Sequence, residues 1–146
     1  MQPEIHINYL SVLLAVIASF FFGWLWYGPI FGKLWARLMK MPTDVKPDSK
    51  FMLRGMALMI LGAFLTAFVM AHASEVWRPS VWGVGLDSPS CTYGFFNGLF
   101  TWLGFFIPMQ MSMVAWEGRG WKLFGLNSAY HFINLQIVAM ILAYMR

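Results

Sequence analysis

Apolar residues fill four long stretches of this 146-residue chain, and the polar ones are gathered between them. The stretches lie near residues 9–27, 51–72, 95–116 and 121–144. Each is about 20 residues long, which at ~1.5 Å per residue crosses the ~30 Å hydrocarbon core of a bilayer as an α-helix. Predominantly apolar runs of this length predict membrane spans rather than strands or the helices of a soluble core. The predicted fold is therefore an all-α membrane protein. It is a bundle of four transmembrane helices in a single transmembrane domain covering residues 1–146.

The connections carry their own patterns. Gly28-Pro29 is expected to end the first span, because proline donates no backbone hydrogen bond and restricts the residue before it. Residues 30–40 then read as a short amphipathic helix. Ile30, Phe31, Leu34, Trp35 and Leu38 gather on one side, with Lys33, Arg37 and Lys40 on the other. Such a helix lies in the membrane interface with its cations near anionic headgroups, so Lys33, Trp35, Arg37 and Lys40 are the expected lipid contacts. Residues 41–50, with two prolines and two aspartates, form a solvated turn. The connection 73–94 reads as a long external loop. Trp77, Trp82 and Tyr93 suit an interfacial aromatic belt there. Pro79, Gly83, Gly85 and Pro89 argue against a long regular element.

Small residues recur along each span: Ser11, Ala15 and Ala18; Gly55, Gly62, Thr66 and Ala73; Gly94, Asn97, Thr101, Gly104, Pro108, Ser112 and Ala115. In lipid such stripes let helix backbones approach closely, and they are read as the packing faces of the bundle. Gly94 and Gly98 also make one G-x-x-x-G pair.

Composition agrees with this picture. The chain is 60% hydrophobic and only 11% charged, well below the roughly 25% of soluble domains. One cysteine, Cys91, excludes an intrachain disulfide. The net charge of +4 does not indicate nucleic acid, because the basic residues sit in short loops beside the apolar runs. Lys33, Arg37, Lys40, Lys46, Lys50, Arg54, Arg119 and Lys122 flank the first and third connections, while only Arg78 and Arg146 lie on the other side. That asymmetry predicts connections one and three in the cytoplasm and both termini outside. Residues 1–8 hold Glu4 and no Lys or Arg, so no secretory signal is expected and the first run remains a membrane helix.

Chemistry concentrates on the fourth span. Asn127, Tyr130, His131 and Asn134 fall within an arc of about 100° on a helix, so they form a stripe. Polar groups near mid-bilayer either line a path for a polar solute, proton or ion, or bond helix to helix. In the second case Asn97 and Thr101 of the third span are their expected partners, and this packing role is the favoured one. Gln136 lies on the opposite face, toward another helix or a second subunit. Glu117 and Arg119 read as a wet pair in the cytoplasmic loop, with Arg54 as an alternative partner for Glu117.

Other chemistry is weaker. His6, His72 and His131 make no metal motif, and a site from His6 and His72 with Glu4 and Glu75 requires a converging geometry that no tight spacing demands. Met109, Met111 and Met113 resemble a copper-handling tract, but adaptable apolar packing accounts for them. There is no phosphate-binding glycine loop, no nucleophile elbow and no acid at membrane depth to complete a catalytic triad. Enzymatic activity is the weakest class, with His131, or His6 with His72, as the residues an enzyme or metal handler would use; no cofactor is expected.

Three stretches carry a family resemblance: I-N-Y-L at residues 7–10, W-Y-G-P-I-F-G-K-L-W at 26–35 and E-G-R-G-W-K-L-F-G-L-N-S-A-Y at 117–130. On these the chain resembles the bacterial membrane family catalogued as domain of unknown function 1761, over nearly its whole length. The resemblance implies a small four-span membrane protein with no established activity, substrate or catalytic residue to carry over. The family's pattern more often has an aromatic where His131 stands. The expectation is a protein of a bacterial plasma membrane that acts by assembly with itself, with lipid or with a membrane partner. A homo-oligomer is expected, since one small bundle offers little room for a path of its own. The alternative is a transporter or channel for a small polar solute or ion along the fourth-span stripe.

Overall fold

The computed structural model describes residues 5–42 and 48–146; Glu4 and Lys46, used above, lie outside them. Among the described residues six α-helices follow one another: α1 (Tyr9–Leu25), α2 (Gly32–Leu38), α3 (Ser49–Val76), α4 (Ser90–Thr101), α5 (Ile107–Glu117) and α6 (Trp121–Tyr144). Taken with the turns that extend them, they provide four segments long and apolar enough to cross a membrane: Tyr9–Ile30, Ser49–Val76, Ser90–Glu117 and Trp121–Tyr144. The protein is an all-helical membrane bundle.

Local chemistry explains where the helices start and stop. The Asn8 side-chain oxygen accepts from the backbone N–H groups of Leu10 at 3.0 Å and Ser11 at 3.4 Å, capping α1. The amide nitrogen of the same side chain donates to the Met145 carbonyl at 2.5 Å. One asparagine thus ties the start of the first span to the end of the last. At the other end of the bundle, Gly118 adopts φ +66 and the Arg119 N–H reaches back to the Met113 carbonyl at 3.3 Å. This left-handed glycine closes α5, and α6 begins three residues later.

Proline does not end the first span where expected. The helix widens instead into a π turn, Trp26–Ile30, in which the Phe31 N–H bonds the Trp26 carbonyl at 2.9 Å. Pro29 lacks a donor, and the wider turn passes the Trp26 carbonyl to a donor one residue beyond the usual partner. A second π turn, Trp102–Phe106, joins α4 to α5 just before Pro108 for the same reason.

The central helix is α6. In its most apolar stretch 44% of residues are buried, against 17% in α3 and 11% in the third span. Val12, Ala15 and Val16 of α1, Ala67, Met70 and Ala71 of α3, and Leu135, Val138, Ala139 and Leu142 of α6 form the main core. α4 lies on another face of α6, and its glycines allow it. A Cβ on Gly98 would come within 2.7 Å of the Gln136 amide nitrogen and 3.1 Å of the Leu135 carbonyl; one on Gly94 would meet the Met140 sulfur at 2.8 Å. The Gly94–Gly98 pair is therefore the close-packing surface of α4. Gln136, facing α4 rather than a second subunit, donates to the Phe95 carbonyl at 3.3 Å.

Other small residues do not pack within the protomer. Gly55, Gly62 and Gly104 have no atom within 4 Å of where a Cβ would stand. The expectation that every small-residue stripe faces the bundle is corrected on this point. α3 leans away from its neighbours at the α2 end of the bundle, and residues 49–62 are exposed throughout.

Candidate functional site

The polar stripe of α6 lies between the two π turns, and they divide it. From the first turn, the Tyr27 hydroxyl donates to the Asn127 side-chain oxygen at 2.9 Å. Tyr130 is buried beneath the same turn. Its ring stacks on Phe22 with centroids 5.6 Å apart and 4° between planes, and meets Tyr27 at 4.7 Å and Trp26 at 6.1 Å. Gly23 makes room for this: a Cβ there would stand 2.9 Å from the Tyr130 hydroxyl. From the second turn, the Trp102 indole donates to the Ser128 carbonyl at 2.9 Å, and Phe106 lies 4.7 Å from the His131 ring. His131 also meets the Tyr130 ring at 5.0 Å, so its ring contacts are aromatic.

Asn134 is buried one turn further along, and its side-chain oxygen has no hydrogen-bond partner. The same holds for the Ser128 hydroxyl, the Trp26 indole nitrogen and the Gln136 side-chain oxygen. The α1–α6 register pairs Gly23 with Tyr130 and Asn8 with Met145. By the same spacing the buried Ser19 falls opposite Asn134. In hydrocarbon an unpaired buried oxygen is costly, and Asn134 carries one at this level of the seam.

Asn97 and Thr101 do not join the stripe. Asn97 donates to the Met70 carbonyl of α3 at 3.2 Å, and Thr101 donates to the Asn97 oxygen at 3.5 Å. They tie the third span to the second. Asn127, Tyr130 and His131 find partners among aromatic residues instead.

At the α2 end of the bundle, Lys33, Arg37 and Lys40 are exposed as an interfacial helix requires. Trp35 is different. It packs edge-on against Tyr27 at 5.5 Å and, with Phe31 and Leu38, against the Trp26–Leu126–Tyr130 cluster. The apolar side of α2 that was expected to face lipid instead contributes these residues to the protein. Glu117 is exposed and accepts from the half-buried Arg119 at 3.4 Å, an arrangement worth at most about 1 kcal/mol. The Arg119 guanidinium also lies 3.4 Å from the Met39 sulfur, which links this loop to α2.

Near Asn8 the structure reveals a polar group that the sequence pattern did not single out. Arg78 bonds Glu75 at 2.6 Å and Asp87 at 2.5 Å, while the Ser80 N–H and hydroxyl donate to Asp87 at 3.0 and 2.7 Å. Partial burial opposes ionisation of the Asp87 carboxyl. The Ser80 donors and the Arg78 guanidinium outweigh it and hold Asp87 down to about 2. A recess of about 10 Å³, no larger than a water molecule, lies nearby among His6, Asn8, Ser11, Ser74, Glu75 and Arg146. His72 takes no part in it; its Nδ1 lies 2.8 Å from the Phe68 carbonyl one turn back. Among the described residues no three metal-ligating side chains converge. Met109 and Met111 are exposed and Met113 half-buried.

Buried Gln110 of α5 was also missed, hidden in sequence between Met109 and Met111. In sequence Trp26 and Trp102 are two of eight tryptophans. Only their place in the π turns sets them against α6.

The family described as protein of unknown function, DUF1761, matches residues 10–143. The chain belongs to this family. No curated protein and no solved structure matches it. Both of the longer motifs that carried the resemblance meet at one place in this DUF1761 protein. W-Y-G-P supplies Trp26 and Tyr27, and G-L-N-S-A-Y supplies Asn127 and Tyr130, so the two form a single aromatic cluster where α1, α2 and α6 join.

Proposed function

We propose that this protein acts without enzymatic chemistry, by assembling in the membrane with a second copy of itself or with another membrane protein, and with anionic lipid at α2. One observation carries the reading. Residues 49–62 of α3 are exposed around the whole helix, yet they include Gly55 and Gly62 with nothing beside them. Glycine inside a helix costs about 1 kcal/mol relative to alanine. Within the protomer these two gain no contact for that cost, whereas a closely approaching partner helix would use both. The lysine and arginine asymmetry supports an orientation with α2 on the cytoplasmic face and both termini outside, and the family resemblance supports a bacterial plasma membrane.

Native mass spectrometry from nanodiscs tests the proposal. Dimers or higher assemblies are expected, and Gly55→Leu with Gly62→Leu should dissociate them without lowering protomer melting temperature. A protein that stays monomeric at every protein-to-lipid ratio overturns the reading.

The alternative, passage of a small polar solute or ion, draws support from the unpartnered oxygens of Asn134 and Ser128 at membrane depth. It requires flux into proteoliposomes that His131→Phe or Asn134→Leu alters. Liposomes that stay inert across a broad solute panel dispose of it.

A further inference from the structure

The segment joining α3 to α4 combines uncovered apolar surface with an ion-paired neck. Trp77 is 79% exposed, Val84 77% and Leu86 96%. No charged residue lies between Arg78 and Asp87. Those two pair with each other at the base, where Arg78 also holds Glu75 and Asp87 also accepts from Ser80. The Trp82 indole N–H is occupied too, donating to the Val76 carbonyl at 2.7 Å. The loop thus meets its principal polar demands internally and presents its apolar side chains outward.

Its height fits a membrane surface. Val76 stands about 33 Å along α3 from Arg54 at 1.5 Å per residue, close to the ~30 Å thickness of a hydrocarbon core. The loop therefore leaves α3 at headgroup level. Its apolar surface also continues the uncovered face of α3, where Leu65, Val69 and Val76 are exposed.

We propose that the 77–87 loop is a membrane wedge: Val84 and Leu86, flanked by Trp77 and Trp82, enter the lipid leaflet at the Asn8 end of the bundle. Lipid is the occupant, because the surface runs unbroken from a face that lipid covers and brings no unpaired charge to desolvate. The backbone limits the depth. Irregular backbone is not tolerated in bare hydrocarbon, so the side chains enter while the chain itself stays among headgroups. The Arg78–Asp87 pair acts as the neck that keeps the apolar tip folded in one direction.

Nitroxide labelling in phosphatidylcholine–phosphatidylglycerol proteoliposomes tests this. Cys91, exposed and unpaired, is first replaced (Cys91→Ser). Labels are then placed at Leu86→Cys, at Val69→Cys as the lipid reference and at Lys50→Cys as the aqueous one. The label at position 86 should follow position 69, with high collision with oxygen and low collision with a water-soluble nickel chelate. Nickel access like that of position 50 overturns the proposal. Protection from both reagents overturns it equally, since that marks a protein partner. Asp87→Ala should lower the oxygen-to-nickel ratio at position 86 severalfold, and an unchanged ratio removes the neck from the proposal. The immersion result is read with Asp87 intact, so it does not depend on how that variant folds.

Discussion

The Tyr27 hydroxyl donates to the Asn127 side-chain oxygen at 2.9 Å, joining the π turn of the first span to the beginning of the last. The bond sits beside the Trp26–Tyr130 cluster, and α2 packs Trp35 and Leu38 against the same place. A bond between two neutral groups in a membrane protein is modest. Its importance is geometric, because it holds a widened helical turn against the helix that every other span contacts.

Removing either partner should cost roughly 0.6–2 kcal/mol, the range for hydrogen bonds between membrane helices. Tyr27→Phe keeps the ring and its contacts with Tyr130 and Trp35, so it isolates the hydroxyl. Asn127→Leu removes the acceptor. Thermal or denaturant unfolding in detergent should show each single variant weakened and the double variant weakened by less than their sum. Strict additivity would mean that the two residues act independently and that the bond contributes nothing.

Glycines offer a sharper contrast. Gly98→Leu forces a side chain into the space of Gln136 and the Leu135 carbonyl, so α4 must lift from α6. A loss of about 1–3 kcal/mol is expected for such overpacking. Gly104→Leu, on the same span but facing open space, should be neutral or slightly stabilising, because leucine is the better helix former. Melting temperatures of the two variants decide the matter; equal destabilisation would place both residues in contacts within the protomer or with a partner.

The same contrast shows how far the sequence could be read. Span number followed from apolar length, because a bilayer imposes one dimension on every helix that crosses it. The stripe of Asn127, Tyr130, His131 and Asn134 followed from 100° arithmetic. Helical periodicity says which residues share a face, but not which helix meets that face. Asn97 and Thr101 share a face that periodicity would set against α6, yet Thr101 bonds Asn97 and Asn97 bonds α3. Gly62 and Gly98 look alike as letters, and only the neighbouring backbone separates an open glycine from a packed one. Pro29 reads as a terminator because its missing donor is a local fact, whereas the π turn that accommodates it packs against Tyr130, far away in the chain. The Arg78–Asp87 neck closes over a loop, and no periodicity encodes that.

Asp87 gives a pH test. Its value in the folded protein, about 2, lies below the ordinary 3.8, so the folded state favours the anion. That contribution is complete above the ordinary value and is lost as pH falls through about 2. A carbon-13 titration of the Asp87 carboxyl should therefore show a midpoint near 2. Exchange protection of the loop amides, corrected for intrinsic rates, should hold unchanged from neutral pH down to about 4. A midpoint at the ordinary value would show that Ser80 and Arg78 do not hold the carboxylate in the membrane-embedded protein.

His131 separates the two functional readings. Its ring lies 4.7 Å from Phe106 and 5.0 Å from Tyr130, so phenylalanine can take its place with both aromatic contacts kept. The replacement removes a polar group from membrane depth, where an imidazole is harder to accommodate than a benzene ring. For a protein that works by assembly, His131→Phe should leave the oligomer intact and hold stability within about 1 kcal/mol, or raise it, as an aromatic pair of this size allows. For a protein that moves a proton or a polar solute past α6, the same change should alter flux while leaving fold and assembly unchanged. Melting temperature, native mass and proteoliposome flux measured on this one variant therefore place His131 either in the packing between the π turns or on a path through the bundle.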